Sequence, residues 1–214
     1  RVLVGAVDVD DILDVVTEEA TEDIYRLAGS SMEEEESESI LHVARYRLPW
    51  LLICLAGTYG ATLVLEVASQ KTPRYQQLSV FIAAIMAMAG NASLQSSTTT
   101  VRRLALDTLP RSRFPAHVLR EILVALLMGV VCGGVAATFA YLFPPRDPVI
   151  GLALGVAMAL GMSGASLFGS AMPLILELVG FDPAVASGPI VTTINDSLVL
   201  AVYFAVATGI LYWL

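Results

Sequence analysis

Long apolar segments separated by short polar ones run through most of the chain, and this pattern predicts membrane-spanning helices. Residues 49–68 contain one charged residue, Glu66, over about the 20 residues that a helix needs to cross a hydrocarbon core of ~30 Å. Further apolar segments occupy residues 78–100, 118–143, 149–175 and 184–213. The sequence therefore predicts an all-α integral membrane protein with five transmembrane helices and its two ends on opposite sides of the membrane.

The second of these segments changes character half-way along. It is apolar up to Ala89, but eight of the eleven residues from Gly90 to Thr100 have side chains that can form hydrogen bonds. Lipid offers no partners for such groups, and burying them unpaired is costly. We therefore expect this half of the helix to face protein or water.

A different pattern precedes the first span. From Val9 to Leu27, apolar residues recur at spacings of three and four, which predicts an amphipathic helix. The acidic residues of this segment are Asp11, Asp14, Glu18, Glu19, Glu22 and Asp23. Most of them fall on the opposite side, where like charges four residues apart repel each other. This side is either a plain solvated surface or a site for divalent cations, and the residues alone leave both interpretations open.

Composition divides the chain into an acidic N-terminal part and an apolar remainder. Thirteen of the 20 acidic residues lie in residues 1–38, while the chain as a whole is 56% hydrophobic with a mean hydropathy of +0.73. We expect residues 11–47 to form a cytoplasmic acidic connecting helix and linker, and residues 48–214 to form the transmembrane domain. The opening Arg-Val-Leu-Val-Gly is typical of a strand within a larger domain, so residues 1–10 are expected to be the remnant of one.

The basic residues predict the orientation in the membrane. Setting aside Arg1, eight of them precede the first span or lie between the second and third spans, and three lie on the other face. The eight are Arg26, Arg45, Arg47, Arg102, Arg103, Arg111, Arg113 and Arg120, and the three are Lys71, Arg74 and Arg146. Because cytoplasmic loops carry the excess of Lys and Arg, we expect a cytoplasmic N-terminus and an extracytoplasmic C-terminus in the inner or plasma membrane.

The sequence offers little support for catalysis. Cys54 and Cys132 lie in apolar segments and do not suggest a metal site or a disulfide framework. His42 and His117 have no Cys, His or Asp at metal-ligand spacing, so the two histidines are interpreted as membrane-boundary residues. No Gly-rich phosphate loop and no Gly-x-Ser-x-Gly motif is present. The Gly-rich segment 149–175 is predicted to serve close helix packing. We predict that the protein is not an enzyme, and nucleic acid is not expected among its partners.

Asp196 is the one residue well inside the predicted bilayer that is expected to carry a full charge. A lone carboxylate there costs about 2.5–3.5 kcal/mol on insertion scales. Its polar neighbours are Thr192, Thr193, Asn195 and Ser197, and Gly188-Pro189 lies one to two turns earlier. This pattern favours a helix that faces a wet cavity and lines an ion path. The alternative is a protonated Asp196 that is hydrogen bonded to a neighbouring helix.

An oxygen-only site with one carboxylate suits a hard cation. Mg²⁺ gives up water reluctantly and is often bound through one or two carboxylates with several waters kept. If two copies met across a two-fold axis, two Asp196 side chains would face each other and favour a divalent ion. The leading hypothesis is therefore a Mg²⁺ channel. The alternatives are a proton-coupled divalent metal transporter and a non-conducting membrane anchor of a ligand sensor.

Four stretches of the chain together resemble the MgtE family of magnesium channels. Residues 9–25 are similar to the end of a CBS domain that runs into the connecting helix of that family. Residues 90–96 with 102–105 are similar to the polar end of its second membrane helix, and residues 172–174 with 180–184 to the link between its fourth and fifth helices. Residues 189–196 end in Asp196, which matches the family's pore aspartate.

The resemblance implies a homodimer in a lipid bilayer, with a pore built from the second and fifth membrane helices. It also implies that Mg²⁺ is both the transported ion and a regulatory ligand, whose binding to a cytoplasmic sensor region holds the pore shut. Residues 1–10 would then end a CBS-like domain. The implied sensing acids are Asp11, Asp14, Glu19, Glu22 and Asp23. The implied pore-lining residues, besides Asp196, are Gly90, Asn91, Gln95, Gly188, Pro189, Thr192 and Asn195.

Overall fold

The computed structural model describes residues 7–28, 30, 39–144, 146–186 and 188–213, except for the side chains of Ala20, Asp23, Leu27, Val185, Ala186, Pro189 and Ile190. Over these residues the chain is all-α, as the sequence predicts. The helices are α1 (Val9–Leu27), α2 (Ile40–Lys71), α3 (Tyr75–Ser79), α4 (Ile82–Ala105), α5 (Phe114–Leu142), α6 (Pro148–Val179), α7 (Pro183–Ala186) and α8 (Pro189–Trp213). A 3₁₀ turn at Arg111–Arg113 leads into α5.

Within the described part of the chain, four helical segments are long and apolar enough to cross a membrane. They are Ile40–Lys71, Arg111–Leu142, Pro148–Val179 and Val191–Trp213. These segments correspond to the first, third, fourth and fifth predicted spans, and they make the chain a multi-pass membrane protein. With 24 residues, α4 is long enough to span, but its polar second half keeps it out of this group. The additional crossing by α4 therefore stays a prediction.

Local sequence signals account for where α1 and α6 begin and end. Asp8 caps α1, because its carboxylate accepts a hydrogen bond from the backbone N–H of Val9 at 2.9 Å. Asp11 completes a capping box by accepting from the Asp8 N–H at 3.3 Å. Asp147 caps α6 in a similar way, and α6 stops at Gly180, whose φ of 82° suits glycine. The predicted amphipathic helix Val9–Leu27 is confirmed with the same bounds.

Helix α6 forms the centre of the bundle. It packs against α4, α5 and α8, and 61% of its most apolar stretch is buried, compared with 11–33% for the other three candidate spans. A Cβ atom on Gly133 of α5 would lie 2.4 Å from the carbonyl oxygen of Gly155 in α6, and one on Gly169 would lie 2.3 Å from that of Ser93 in α4. Only glycine allows the backbones to approach so closely. The predicted packing role of the Gly-rich segment is confirmed.

Helix α2 packs along a different side of α8. A Cβ atom on Gly57 would overlap the Cγ2 methyl of Thr193 at 1.5 Å, and one on Gly60 would lie 2.9 Å from the Ser197 hydroxyl. Thr193 and Ser197 are one turn apart, so both face α2. This contact fixes the directions of the residues that lie between them on α8.

Helix α1 meets the membrane helices through α7. The link is an ion pair between Arg26 of α1 and Asp182, which immediately precedes α7. Arg26 also pairs with Glu22, one turn earlier in α1. The apolar residues Ile12 and Val16 are more than half exposed, at 52% and 56%. Within the described chain, the apolar stripe of α1 is thus largely uncovered.

Candidate functional site

Helix α4 carries an exposed face that is apolar at one end and polar at the other. Residues at spacings of three and four fall on this face and are exposed. They are Ala84, Ala87, Asn91, Gln95, Thr98 and Arg102. Two of the predicted pore-lining residues, Asn91 and Gln95, belong to it, and Gly90 next to them is half-buried. A face with this many hydrogen-bonding groups is unsuited to contact with hydrocarbon.

The opposite face of α4 uses its polar residues in packing. The hydroxyl oxygens of Ser96 and Ser166 lie 2.5 Å apart and join α4 to α6. Thr100 donates its hydroxyl hydrogen to the Ser96 carbonyl at 2.7 Å, and its oxygen lies 2.8 Å from Nε2 of His117 in α5. The Arg103 guanidinium donates to Nδ1 of His117 at 3.2 Å. These bonds assign His117 as the neutral Nε2–H form.

His117 has a structural role beyond the membrane-boundary position that the sequence predicts. It is only 3% exposed and connects α5 to α4. Its partners Thr100 and Arg103 lie 17 and 14 residues earlier in the chain. The available signal was the polar end of α4, which requires hydrogen-bonding partners on a neighbouring helix.

Asp196 lies on α8 between two sides of the helix that are both packed against other parts of the protein. Thr193 and Ser197 face α2, and Asn195 is fully buried. Asp196 itself is half-buried, and Thr192, one turn before it, is exposed. Among the described residues, the Asp196 carboxylate has neither a hydrogen-bond partner nor an ion-pair partner. No group in the described part of the chain therefore neutralises this carboxylate.

The residues before Asp196 on α8 occupy several environments. Gly188 is buried, and its carbonyl accepts hydrogen bonds from the backbone N–H and the hydroxyl of Thr192 at 3.1 and 3.0 Å. The side chain of Pro189 lies outside the described residues. Asn195 is 0% exposed, and neither atom of its amide has a partner in the described part of the chain. Within one chain, Asn195 thus points inward, and its assignment to the pore stays a prediction.

The predicted sensing acids lie along α1 in different surroundings. Asp11, Asp14 and Glu19 are exposed on α1, and Glu22 is half-buried and paired with Arg26. The side chain of Asp23 lies outside the described residues. No cluster of three or more His, Cys, Asp or Glu side chains that could hold a metal ion occurs among the described residues. Their sensing role stays a prediction.

A polar cavity of about 280 Å³ separates α1 from the membrane helices. It is lined by residues that include Glu19, Glu22, Arg26, Glu177 and Asp182. Arg26 spans it by pairing with Glu22 and Asp182, and Asp182 also accepts a hydrogen bond from the backbone N–H of Ala184 at 2.8 Å. Asp182 therefore caps α7 and anchors α1 at once. The sequence gives no signal for this link, because Arg26 and Asp182 lie 156 residues apart.

Known proteins are similar to this chain over most of its length. The profile of the MgtE family, described as divalent cation transporter, matches residues 82–206, which include α4 and Asp196. The chain is 40% identical over 207 residues to a magnesium transporter MgtE of Enterococcus faecalis, and the match covers 96% of the chain and 45% of that protein. It is also similar to proteins of the same name from two other bacteria.

The second relative, from Bacillus subtilis, is 31% identical over 213 residues, covering 99% of the chain and 47% of the relative. The third, from Thermus thermophilus, is 31% identical over 209 residues, covering 96% of the chain and 46% of the relative. The chain therefore spans about half the length of the curated relatives that it matches.

Proposed function

Because the chain belongs to the MgtE family of divalent cation transporters, we propose that it forms the pore of a homodimeric Mg²⁺ channel in the cell membrane. In this proposal α4 and α8 of both subunits line the pore, and the two Asp196 carboxylates bind the passing ion. The family is one of transporters and not of enzymes.

The observation that carries the proposal is the exposed polar face of α4. Asn91, Gln95 and Thr98 are exposed in the middle and second half of α4, which packs against the membrane-spanning candidates α6 and α8. Lipid cannot satisfy their hydrogen bonds, so this face requires water or a second protein surface. A pore at a dimer axis supplies both.

The charge of Asp196 supports the same arrangement. Its carboxylate has no partner among the described residues and sits on α8, which packs against α4. An acid at membrane depth is stabilised where it faces a water-filled path and a cation. Two such carboxylates related by a two-fold axis favour a divalent ion over a monovalent one. The name shared by the relatives, magnesium transporter, favours Mg²⁺ among the divalent ions.

Regulation by Mg²⁺ is a further part of the proposal. The acidic face of α1 would bind Mg²⁺ on the cytoplasmic side, where the excess of arginines also places the loop between α4 and α5. The Arg26–Asp182 pair gives α1 a direct connection to the segment that precedes α8. If Mg²⁺ binds α1 more tightly when the pore is closed than when it is open, Mg²⁺ would therefore shift the population toward the closed pore.

The proposal is tested by Mg²⁺ flux into proteoliposomes that contain an Mg²⁺-sensitive dye. We expect Asp196→Ala to reduce the initial rate by at least about tenfold, because the ion loses its two carboxylates in a low-dielectric path. Glu66→Ala is the matched control, since Glu66 is an exposed acid near the end of membrane helix α2. The control should conduct normally, and light scattering should show dimers for both variants.

Three outcomes would contradict the proposal. Unchanged flux in Asp196→Ala would remove Asp196 from the ion path. Flux that follows an imposed proton gradient and saturates at low turnover would indicate a proton-coupled transporter. No flux through the unmodified protein would indicate a membrane anchor without conduction.

A further inference from the structure

An apolar groove of about 520 Å³ lies between α2 and α8. Residues of both helices line the groove, and those that bear on its chemistry are Lys71, Thr72, Ala201, Phe204, Ala205 and Thr208. It is almost entirely apolar along its length, and its polar residues are gathered at the end where α2 stops. A long apolar channel with polar groups at one end has the amphipathic character of a membrane lipid.

The groove is on the opposite side of α8 from Asp196. Ala205 follows Asp196 by nine residues, which at about 100° per residue is half a turn beyond two full turns. Ala201 and Ala205 are both exposed. If Asp196 faces a dimer axis, the groove faces away from it. The surrounding hydrocarbon then has direct access to the groove.

The polar end of the groove has an uncompensated positive charge. Lys71 is exposed at the C-terminal end of α2 and has no ion-pair partner among the described residues. Arg74 nearby is already paired with Asp147. Thr208 donates a hydrogen bond to the Thr72 hydroxyl oxygen at 2.9 Å, which leaves the Thr72 hydrogen to donate elsewhere. The exposed Lys71 thus offers donors suited to a phosphate group, and Thr72, which is only 8% exposed, lines the groove beside it.

We propose that this groove is a binding site for an anionic phospholipid, with an acyl chain between α2 and α8 and the headgroup phosphate on Lys71. A lysine at the end of a membrane helix reaches the interface where phosphates lie, while its aliphatic stem stays against apolar surface. The rings of Phe204 and Tyr75 stack with their centroids 5.3 Å apart and make a rigid wall on one side. The bound lipid would make no contact with Asp196, but its access to the groove rests on the proposed dimer axis.

Native mass spectrometry of the full chain, released from nanodiscs that contain equal amounts of phosphatidylglycerol and phosphatidylcholine, tests the proposal. We expect the protein to retain phosphatidylglycerol over phosphatidylcholine by about fivefold, the effect of one basic residue near an anionic headgroup. Lys71→Gln should remove this preference. Arg146→Gln is the matched control, because Arg146 is an exposed basic residue outside the groove. It should leave the preference unchanged.

A second variant tests the groove itself. Ala205→Trp should fill it and reduce retention of both lipids, whereas Val131→Trp, at a 61% exposed position on α5, should not. Equal lipid retention in Lys71→Gln and the unmodified protein would overturn the proposal. A second outcome would also overturn it: Ala205→Trp converts the dimer to a monomer but leaves lipid retention unchanged. The groove would then be an interface between two copies of the chain. Mg²⁺ flux is measured separately, so either proposal can fail alone.

Discussion

At the scale of single residues, neighbouring polar positions in α8 have different surroundings. Asn195 is fully buried, while Asp196, about 100° further round the helix, is half-buried and without a partner in the described chain. The sequence identified Asp196 because a charge at membrane depth needs an explanation. It could not decide the direction of Asn195, since that depends on which helices pack against α8. The same limit applies to His117, whose partners come from another helix.

The hydroxyl of Thr100 is expected to be the most important single contact of the α4–α5 network. Thr100→Val keeps the shape of the side chain but leaves the His117 Nε2–H buried without its acceptor. A loss of about 1–3 kcal/mol is expected from an unpaired buried donor. The midpoint of thermal unfolding in detergent should therefore fall.

Thr99→Val is the control for this prediction. Thr99 donates the same kind of bond, to the Gln95 carbonyl at 2.8 Å, but its side chain is exposed and has no hydrogen bond to another helix among the described residues. Its replacement should change the midpoint little. Equal decreases for the two variants would contradict the role of the Thr100–His117 contact.

At the scale of helices, the sequence predicted α1 well and α4 only in part. The three-and-four spacing and the Asp8–Asp11 capping box are local signals, so the bounds of α1 follow directly from them. In α4 the polar half signalled contact with protein or water, and the structure divides it into a face that packs on α6 and an exposed face. Hydropathy alone could not make that division, because hydrogen-bonding side chains occur on both faces. Ser93, Ser96, Ser97 and Thr100 are buried, whereas Asn91, Gln95, Thr98 and Thr99 are exposed.

The packing of α5 on α6 gives a prediction for adjacent glycines. An alanine Cβ at Gly133 would lie 2.4 Å from the Gly155 carbonyl oxygen, so Gly133→Ala must push two backbones apart. Overpacking of this kind costs about 1–3 kcal/mol. We expect a lower unfolding midpoint, measured by circular dichroism in detergent.

Gly134→Ala is the matched control, because a Cβ there meets no atom within 4 Å. It should be neutral or slightly stabilising, since alanine has the better helix propensity by about 1 kcal/mol. A similar loss of stability for both variants would show that the close α5–α6 approach is not what requires Gly133.

At the scale of the whole molecule, two features have no counterpart among the described residues of one chain. They are the exposed polar face of α4 and the unneutralised carboxylate of Asp196. A second copy across a two-fold axis would account for both, which is why the proposed function is assigned to a dimer. The periodicity of a single sequence predicts that a face is unsuited to lipid, but it carries no information about the symmetry that covers the face.

Cysteine labelling tests whether water reaches the exposed face of α4. The native cysteines are first removed by Cys54→Ala and Cys132→Ala. We expect Gln95→Cys to react with a charged, membrane-impermeant thiol reagent, because Gln95 would line an aqueous path. Val131→Cys, at an exposed apolar position on α5, should remain unlabelled in lipid. Mass spectrometry of the intact protein measures the reaction. An unreactive Gln95→Cys together with a reactive Val131→Cys would contradict the assignment of the two faces.

The most direct test of the central claim is a density map of the protein in lipid at high Mg²⁺, resolved well enough to show ions near Asp196. We expect an ion on a two-fold axis between two Asp196 carboxylates. An ion-to-oxygen distance of about 2.0–2.1 Å would indicate direct ligation, and one of about 4 Å or more a hydrated ion. An Asp196 side chain that points into lipid, or that is held in a dry contact away from any subunit boundary, would contradict the account.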